Sequence, residues 1–246
     1  MIVPASNAFL YGKGVFTTVV IFGGEPFLWE KHWQRLKENA SKLGIDISGI
    51  AENEVLEMIA SERISDGRIR VTFSDNSESK IWQKGAAKQL TSVSVLSGEF
   101  RLVSETFTAA LSPFRVNSTS PLAGIKSCNY LENILAIDEA RSRGFDEALR
   151  LNERGEITSG CMSNMFWLSD GKLFTPDLST GCLAGTTRGF ILENLECVET
   201  VADIGVLANA DAVFLTSAGI GIKAVKILDN KAFEKIEHPI LELLPG

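Results

Sequence analysis

Residues 1–45 combine a β-hairpin pattern with an amphipathic helix pattern, and this pairing restricts the fold more than any other feature. An apolar run at 15–22 is separated by Gly23 and Gly24 from a short run at 25–28, which is typical of a tight hairpin turn. Apolar residues then recur at spacings of three and four, as on one face of a helix: Trp29, Trp33, Leu36, Ala40 and Leu43. The sequence therefore predicts a hairpin followed by a helix that ends at Gly44.

The rest of the chain mixes strand and helix patterns without regular βαβ alternation, which favours an α+β fold over a doubly wound sheet. Helices are predicted at 52–62, 128–143 and 186–195. Strands are predicted at 68–74, 89–96, 100–111, 147–151, 156–158, 165–168, 172–174, 212–216 and 223–228. The segment 112–121 is rich in proline, serine and threonine, as linkers are. We therefore expect an N-terminal α/β domain at 1–111, a linker at 112–121 and a second domain at 122–246.

Composition excludes several classes of function. The 246-residue chain has a formal net charge of −7, which gives no electrostatic reason to bind nucleic acid or an anionic membrane. No run approaches a membrane span and the N-terminus does not resemble a signal peptide, so we expect a cytoplasmic protein. Four cysteines without a C-x-x-C pair and only two histidines predict reduced thiols and no metal site. Phosphate-loop, dinucleotide and nucleophile-elbow motifs are also missing, which points to a bound cofactor as the source of the chemistry.

Lys126 is the strongest single candidate for that chemistry. It lies between a small-residue turn and the apolar-periodic segment that begins near Cys128, where an amine can be fixed and partly desolvated. Desolvation lowers the pKa of a lysine and makes its nitrogen a nucleophile towards an aldehyde. A solvated surface lysine is the alternative interpretation from the residue alone.

From Ser120 to about Arg188 the chain resembles the class IV aminotransferases, the fold-type IV enzymes that use pyridoxal phosphate (PLP). This family includes branched-chain and D-amino-acid aminotransferases and 4-amino-4-deoxychorismate lyases. The resemblance implies that Lys126 forms the Schiff base with PLP. It also implies two α/β domains with the cofactor in the cleft between them, 122–246 being the PLP-binding domain, and a homodimer whose active site is completed across the interface.

The resemblance assigns residues to the phosphate of PLP. Thr186 and Thr187 follow a glycine at the start of a predicted helix, where unpaired N–H groups and the helix dipole favour an anion. An ordinary helix cap explains the same residues. Arg35 matches the arginine of a family His-x-x-Arg-Leu motif that clamps this phosphate, and guanidinium suits that task. Ser217 and Ala218 match a further phosphate loop, to which Ala218 can contribute only its backbone N–H.

Two residues match positions that contact the PLP ring. Tyr130, expected one helical turn beyond Lys126, resembles a tyrosine that binds the ring hydroxyl; a core aromatic is the alternative. Ser159 stands where the family has a glutamate that pairs with the ring nitrogen, and a hydroxyl cannot stabilise a positive charge there as a carboxylate does. Glu156 should point to the opposite face of the strand. A water or another acid could substitute, the reaction could need less electron withdrawal, or the protein could bind PLP without efficient turnover.

The segment that begins at Tyr11 resembles one that lines the family's active site. The resemblance implies substrate contacts for Tyr11 and Phe16, and gives Thr18 the place of a lyase threonine that assists proton transfer. A buried strand is compatible with this reading. The arginine that usually binds the substrate carboxylate is missing. Three cations could replace it, although we expect each to be solvated: Arg70, Lys80 and Arg101.

These observations predict a PLP-dependent aminotransferase that acts on a small amino acid/2-oxo acid pair through Lys126. The alternative is a 4-amino-4-deoxychorismate lyase that releases pyruvate and 4-aminobenzoate, which Thr18 favours. A PLP-binding protein with little catalysis is a third interpretation, which the serine at position 159 motivates.

Overall fold

A computed structural model describes residues 5–79, 90–100, 103–234 and 237–244. In these ranges the helices are α1 (Asn7–Tyr11), α2 (Trp29–Lys42), α3 (Glu52–Ser61), α4 (Leu131–Ser142) and α5 (Thr186–Asn194). The strands are β1 (Gly14–Phe22), β2 (Glu25–Pro26), β3 (Gly67–Asp75), β4 (Thr91–Gly98), β5 (Thr108–Leu111), β6 (Glu147–Leu151), β7 (Ile157–Gly160), β8 (Asn164–Ser169), β9 (Lys172–Pro176), β10 (Val198–Thr200), β11 (Ala212–Ser217), β12 (Gly221–Ala224), β13 (Ile227–Leu228) and β14 (Lys231–Ala232). This mixture confirms the predicted α+β class.

The first of two compact units contains Met1–Phe100 and Ile125–Tyr130. Its antiparallel sheet has the order β2-β1-β3-β4. Helices α2 and α3 share an apolar core with alternate residues of β1 and β3, among them Val15, Val19 and Val71. The predicted hairpin and the predicted helix after it are both present, because the two-glycine turn and the three–four apolar spacing are local signals.

The second unit contains Arg101–Gly124 and Leu131–Gly246. It has two five-stranded sheets, with the orders β10-β9-β8-β11-β12 and β14-β13-β5-β6-β7. Side chains of both sheets form one apolar cluster, for example Leu149 with Met165 and Leu215. Helix α4 packs through small residues against β6, and α5 packs through Ile191 against β8 and β11.

Some predicted elements differ from the observed ones. The helix predicted from 128 begins at Leu131, because residues 125–130 run along the edge of β1 instead. The strand predicted at 100–111 is seen as Thr108–Leu111, and residues 101 and 102 lie outside the described residues. The strand predicted at 223–228 is divided between β12 and β13.

The predicted domain boundaries at 111 and 122 stay a prediction. The compact units divide the chain differently, because residues 125–130 belong to the first unit and β5, which precedes residue 112, belongs to a sheet of the second. None of the helices in the described ranges has the length and apolar character needed to cross a membrane.

Candidate active site

The main chain around Lys126 is held against the open edge of β1. The Phe16 amide donates to the Lys126 carbonyl at 3.0 Å, and the Cys128 amide donates to the Gly14 carbonyl at 2.8 Å. A bridge between Val15 and Ser127 completes this short pairing. The backbone of Lys126 is therefore fixed by strand pairing rather than by a helix.

Two aromatic rings surround the amine of Lys126. Its Nζ lies 4.5 Å from the ring centroid of Phe16 and 4.9 Å from that of Tyr130, and 3.4 Å from the Tyr130 hydroxyl oxygen. The two rings meet edge to face at 5.1 Å. The structure thus brings Tyr130 to Lys126 as predicted, but the reasoning was wrong. Residues 126–130 are not helical, so the chain approaches through an extended turn.

Lys126 is half-buried, and its charge is disfavoured. Burial, and to a lesser extent the positive charges of Arg35 and Arg70, together lower its pKa from 10.5 to about 7. Near neutral pH a large fraction of this amine is therefore unprotonated, which is the form that attacks a carbonyl or accepts a proton.

Arg35 is buried on α2 and is held by neighbours that carry no negative charge. Its Nη2 donates to the Thr17 hydroxyl at 2.7 Å, and that hydroxyl lies 2.6 Å from Nδ1 of His32. Burial lowers the pKa of Arg35 to about 10 and holds the pKa of His32 well below its usual value. Within the described residues, Nε of Arg35 is buried without a hydrogen-bond partner. A buried guanidinium with an unused donor is suited to an anion.

Arg70 is not the solvated charge that we expected. It is half-buried, and its guanidinium carbon lies 3.6 Å from the ring centroid of Phe16. Its Nε donates to Thr72 Oγ1 at 3.1 Å, and it also hydrogen-bonds Cys128. Strand pairing explains the placement, because Arg70 lies opposite Thr18 and so shares a sheet face with Phe16. The other two candidates, Lys80 and Arg101, lie outside the described residues.

The remaining predicted residues of the first unit are Thr18 and Tyr11. Thr18 is half-buried on the face of β1 that carries Phe16, two residues away. Tyr11 ends α1, where its hydroxyl accepts from Ser79 Oγ at 3.3 Å and its side chain is exposed. Roles for Thr18 in proton transfer and for Tyr11 in substrate binding stay predictions.

The second unit contains the predicted phosphate-binding helix start. Gly185 is the N-cap of α5, followed by the buried Thr186 and Thr187. A Cβ at Gly185 would overlap the side-chain oxygen of Asn164, whose amide donates to the Leu183 carbonyl at 2.7 Å. Gly185 is therefore required by close packing, and the buried N-terminus of a nine-residue helix suits an anion.

The strand next to this helix start supplies a buried hydroxyl. Thr216 lies opposite Asn164 in the pairing of β11 with β8, and among the described residues its Oγ1 has no hydrogen-bond partner. Ser217 follows it, but its hydroxyl accepts from the Gly219 amide at 3.2 Å and so caps the next turn. Binding of phosphate by Ser217 and Ala218 stays a prediction, and Thr216 joins them as a candidate.

Ser159 is half-buried on β7, directly opposite Arg150 on β6. Arg150 is buried, and its guanidinium donates to the carbonyls of Phe114 and Arg115 and to Asn133 Oδ1. The Glu156 carboxylate accepts hydrogen bonds from Asn152 and Arg154, and its placement on the face opposite Ser159 stays a prediction. The guanidinium of Arg150 also lies 3.5 Å from Glu132 Oε2, so its positive charge is paired with a carboxylate.

Each unit, taken by itself, offers groups whose chemistry suits a part of PLP. The first unit offers an amine with a lowered pKa and a buried guanidinium with an unused donor. The second offers a helix N-terminus beside the buried Thr216 hydroxyl, which has no hydrogen-bond partner in the described part of the chain. Such an amine reacts with an aldehyde, and such hydrogen-bond donors bind a phosphate.

Sequence reasoning missed Thr17, His32 and Thr216, and it misjudged Arg70. The signal for Thr17 was a hydroxyl residue in an otherwise apolar stripe, between Val15 and Val19. Arg70 is one of two arginines that alternate in β3, and only the register with β1 shows which side chains it meets.

Comparison with known proteins places these features in one family. The model for amino-transferase class IV matches residues 14–228. The aminodeoxychorismate lyase of Bacillus subtilis (strain 168) is 31% identical over 249 residues, which cover 96% of this chain and 81% of the lyase. The branched-chain-amino-acid aminotransferase of Escherichia coli (strain K12) is 34% identical over 118 residues, 46% of this chain and 38% of that protein.

A solved structure of 4-amino-4-deoxychorismate lyase from Pseudomonas aeruginosa superposes with a TM-score of 0.86 at 25% identity, over 99% of this chain and 93% of that one. The fold and the family match therefore agree. The chain belongs to the class IV aminotransferase family and is a PLP-dependent enzyme of fold type IV.

Proposed function

We propose that the protein is an aminotransferase for a small amino acid/2-oxo acid pair, with Lys126 as the group that moves the proton of the substrate's α-carbon. The observation that carries this proposal is the half-buried Lys126 amine, with a pKa lowered to about 7 and two arginines close enough to lower it. A general base works best when its pKa lies near the working pH. Bound PLP supplies the electron-withdrawing ring that makes the substrate's α-proton acidic.

The residues of the first unit support a proton cycle at Lys126 Nζ. The neutral amine accepts the proton, and the positive charges of Arg35 and Arg70 favour its prompt release. The Tyr130 hydroxyl, 3.4 Å away, and the two aromatic rings restrict where the amine can point. The restricted amine can therefore both take a proton and return it.

We assign Arg70 to the carboxylate of the substrate. Its guanidinium lies on the face of β1 that carries Phe16, and no ion pair within the described residues neutralises it. A carboxylate there would offset one of the charges that lower the pKa of Lys126, so the amine becomes a stronger base when substrate is bound. Arginine suits this planar, bidentate task.

For PLP itself we assign the phosphate to Arg35 and to the α5 start at Thr186 and Thr187. We assign Tyr130 to the ring hydroxyl and Ser159 to the ring nitrogen. A hydroxyl at that position stabilises a protonated ring nitrogen less than a carboxylate would. The enzyme then works with a less electron-withdrawing ring than one with a carboxylate there.

Aminodeoxychorismate lyase is the second candidate. Thr18 lies on the same sheet face as Phe16 and Arg70, where a hydroxyl could assist proton transfer to a substrate held by Arg70. The Bacillus subtilis lyase is similar over 96% of this chain. Both reactions require the same proton removal by Lys126, and they differ in what leaves afterwards.

The test is an absorbance spectrum of the protein loaded with PLP, before and after addition of L- and D-amino acids. We expect conversion to the pyridoxamine spectrum with at least one amino donor and none with Lys126→Ala; Lys37→Ala on the exposed face of α2 should behave as wild type. Release of pyruvate from aminodeoxychorismate, without conversion by any amino acid, would support the lyase instead. Full activity of Lys126→Ala would refute both.

We also propose a cytoplasmic homodimer. The four cysteines are free, as expected in a reducing compartment. Helix α4 exposes Leu131, Ile134 and Leu135, and a row of apolar side chains on a helix is typical of a surface that a second copy covers. Sedimentation of the purified protein tests the dimer: a monomer at micromolar concentration contradicts it.

A further inference from the structure

A chain of three buried polar side chains connects β1 to α2 beneath the Lys126 site. Thr17, His32 and Arg35 are 0%, 2% and 9% exposed. The Thr17 hydroxyl lies 2.7 Å from Nη2 of Arg35 and 2.6 Å from Nδ1 of His32. A buried hydroxyl is costly unless it is hydrogen-bonded, and valine has the same shape and would suit the apolar stripe formed by Val15 and Val19. The contacts of Thr17 therefore explain why a hydroxyl is present there.

The hydrogens of this chain can be assigned from its donors. Arg35 can only donate, so the Thr17 oxygen accepts from Nη2. Burial and the charges of Arg35 and Lys126 lower the pKa of His32, so its imidazole is neutral. A neutral imidazole has one accepting nitrogen. We assign Nδ1 as the acceptor of the hydroxyl's own hydrogen and place the hydrogen of His32 on Nε2.

The neutrality of this pair has a consequence for Arg35. Buried arginines are usually paired with a carboxylate, which fixes them and also cancels their charge. In the described part of the chain no ion pair involves Arg35, and its Nε is buried without a partner. We propose that Thr17 and His32 form an uncharged cradle that orients Arg35 while leaving its positive charge for an anionic group bound beside Lys126.

This inference rests on the proposed function only in taking that anionic group to be the phosphate of PLP. Thr17 and His32 act through Arg35 and are positioning residues rather than catalytic ones. Because both side chains are uncharged, they orient the guanidinium without neutralising it.

The first test compares binding of PLP with binding of pyridoxal, which lacks the phosphate. Thr17→Val keeps the side-chain shape and removes the hydroxyl, whereas Thr17→Ser keeps the hydroxyl. We expect Thr17→Val to weaken PLP binding about tenfold, as for one charge-assisted hydrogen bond, with pyridoxal binding nearly unchanged. Thr17→Ser should restore PLP binding. Equal weakening of both ligands would overturn the proposal, because it would show a general packing defect.

A double variant separates action through Arg35 from a direct effect. Once Arg35→Gln has removed the guanidinium, adding Thr17→Val should produce no further loss of PLP affinity. If the double variant instead loses PLP affinity by the product of the two single-variant factors, Thr17 and Arg35 act independently and the cradle is contradicted. His32→Asn, which offers an acceptor oxygen near the position of Nδ1, should retain more affinity than His32→Phe.

The second test needs neither cofactor nor substrate, so it remains decisive if the proposed function fails. Acetic anhydride acetylates an amine only in its neutral form. Mass spectrometry of the cofactor-free protein, modified at a series of pH values, therefore gives the pH at which acetylation of Lys126 is half-maximal. Because Arg35 lowers the pKa of Lys126, a guanidinium that has lost its anchor should let that midpoint rise in Thr17→Val by about half a unit or more. An unchanged midpoint in Thr17→Val would show that Thr17 does not position Arg35.

Discussion

Replacing Lys126 with methionine should stabilise the cofactor-free protein, and by an amount that depends on pH. The pKa of Lys126 is about 7 in the folded chain against 10.5 for an ordinary lysine. The folded state therefore binds fewer protons than the unfolded state between these values, and wild-type stability from this group increases with pH. The penalty for burying the amine is largest below pH 7 and disappears as the pH approaches 10.5. Methionine has a similar shape and carries no such penalty.

The size of the effect follows from the two pKa values. One pKa unit corresponds to about 1.4 kcal/mol, so these two pKa values make the penalty fall by about 2.3 kcal/mol from pH 7 to pH 9. The rings of Phe16 and Tyr130, 4.5 and 4.9 Å from Nζ, oppose part of this shift. Each such contact stabilises the ammonium by about 0.5–1 kcal/mol. We therefore expect the advantage of Lys126→Met to be about 1–2 kcal/mol smaller at pH 9 than at pH 7.

Urea unfolding of the cofactor-free wild type and variant at the two pH values measures this difference directly. Groups present in both proteins cancel, so only the proton of Lys126 remains. Lys37→Met, on the exposed face of α2, is the matched control and should show no comparable change with pH. An advantage of Lys126→Met that is constant or larger at pH 9 would refute the reasoning, because Lys126 would then have an ordinary pKa in the folded chain.

Two further changes test the second unit. Gly185→Ala should weaken PLP binding at least tenfold and lower the free energy of unfolding by about 1–3 kcal/mol, because the new Cβ displaces Asn164. The control Gly189→Ala places its Cβ in open space and should be neutral or slightly stabilising. Thermal melts and PLP titrations that are the same for the two variants would contradict this prediction. Ser159→Glu should accelerate the amino-acid half-reaction severalfold in single-turnover absorbance, since the new carboxylate, opposite Arg150, favours a protonated ring nitrogen. The neutral variant Ser159→Gln should give no such acceleration. A slower half-reaction in Ser159→Glu with PLP bound would mean that the reaction uses a neutral ring.

Much of the fold could be predicted because its signals are local. The hairpin turn at Gly23 and Gly24, the apolar face of α2 and the alternation in β8 each depend on residues close in sequence. The helix predicted from 128 failed for the opposite reason. At the edge of β1 the Phe16 amide donates to the Lys126 carbonyl and the Cys128 amide donates to the Gly14 carbonyl, which keeps residues 126–128 extended. A partner more than a hundred residues away leaves no trace in local periodicity.

The same distinction separates the site residues that were predicted from those that were not. Lys126 and Arg35 stand in local motifs, so the resemblance was enough to select them. Arg70 was selected only as an alternative and expected to be solvated, because its neighbour Phe16 is brought to it by the register of β1 with β3. Thr17 looked like one more strand residue, since its meaning depends on two side chains of α2.

The charges explain why this site needs uncharged supports. The whole chain has a net charge of −7, so at long range it repels the phosphate and carboxylate anions that the family uses. Screening limits that repulsion to about 8 Å in physiological salt. Binding then depends on cations that are close to the ligand and not already neutralised, and the described residues leave Arg35 and Arg70 in that condition. An acidic neighbour at either arginine would offset the charge that the ligand needs, whereas hydroxyls, an imidazole and an aromatic ring hold the two cations in place and leave their charge for the ligand.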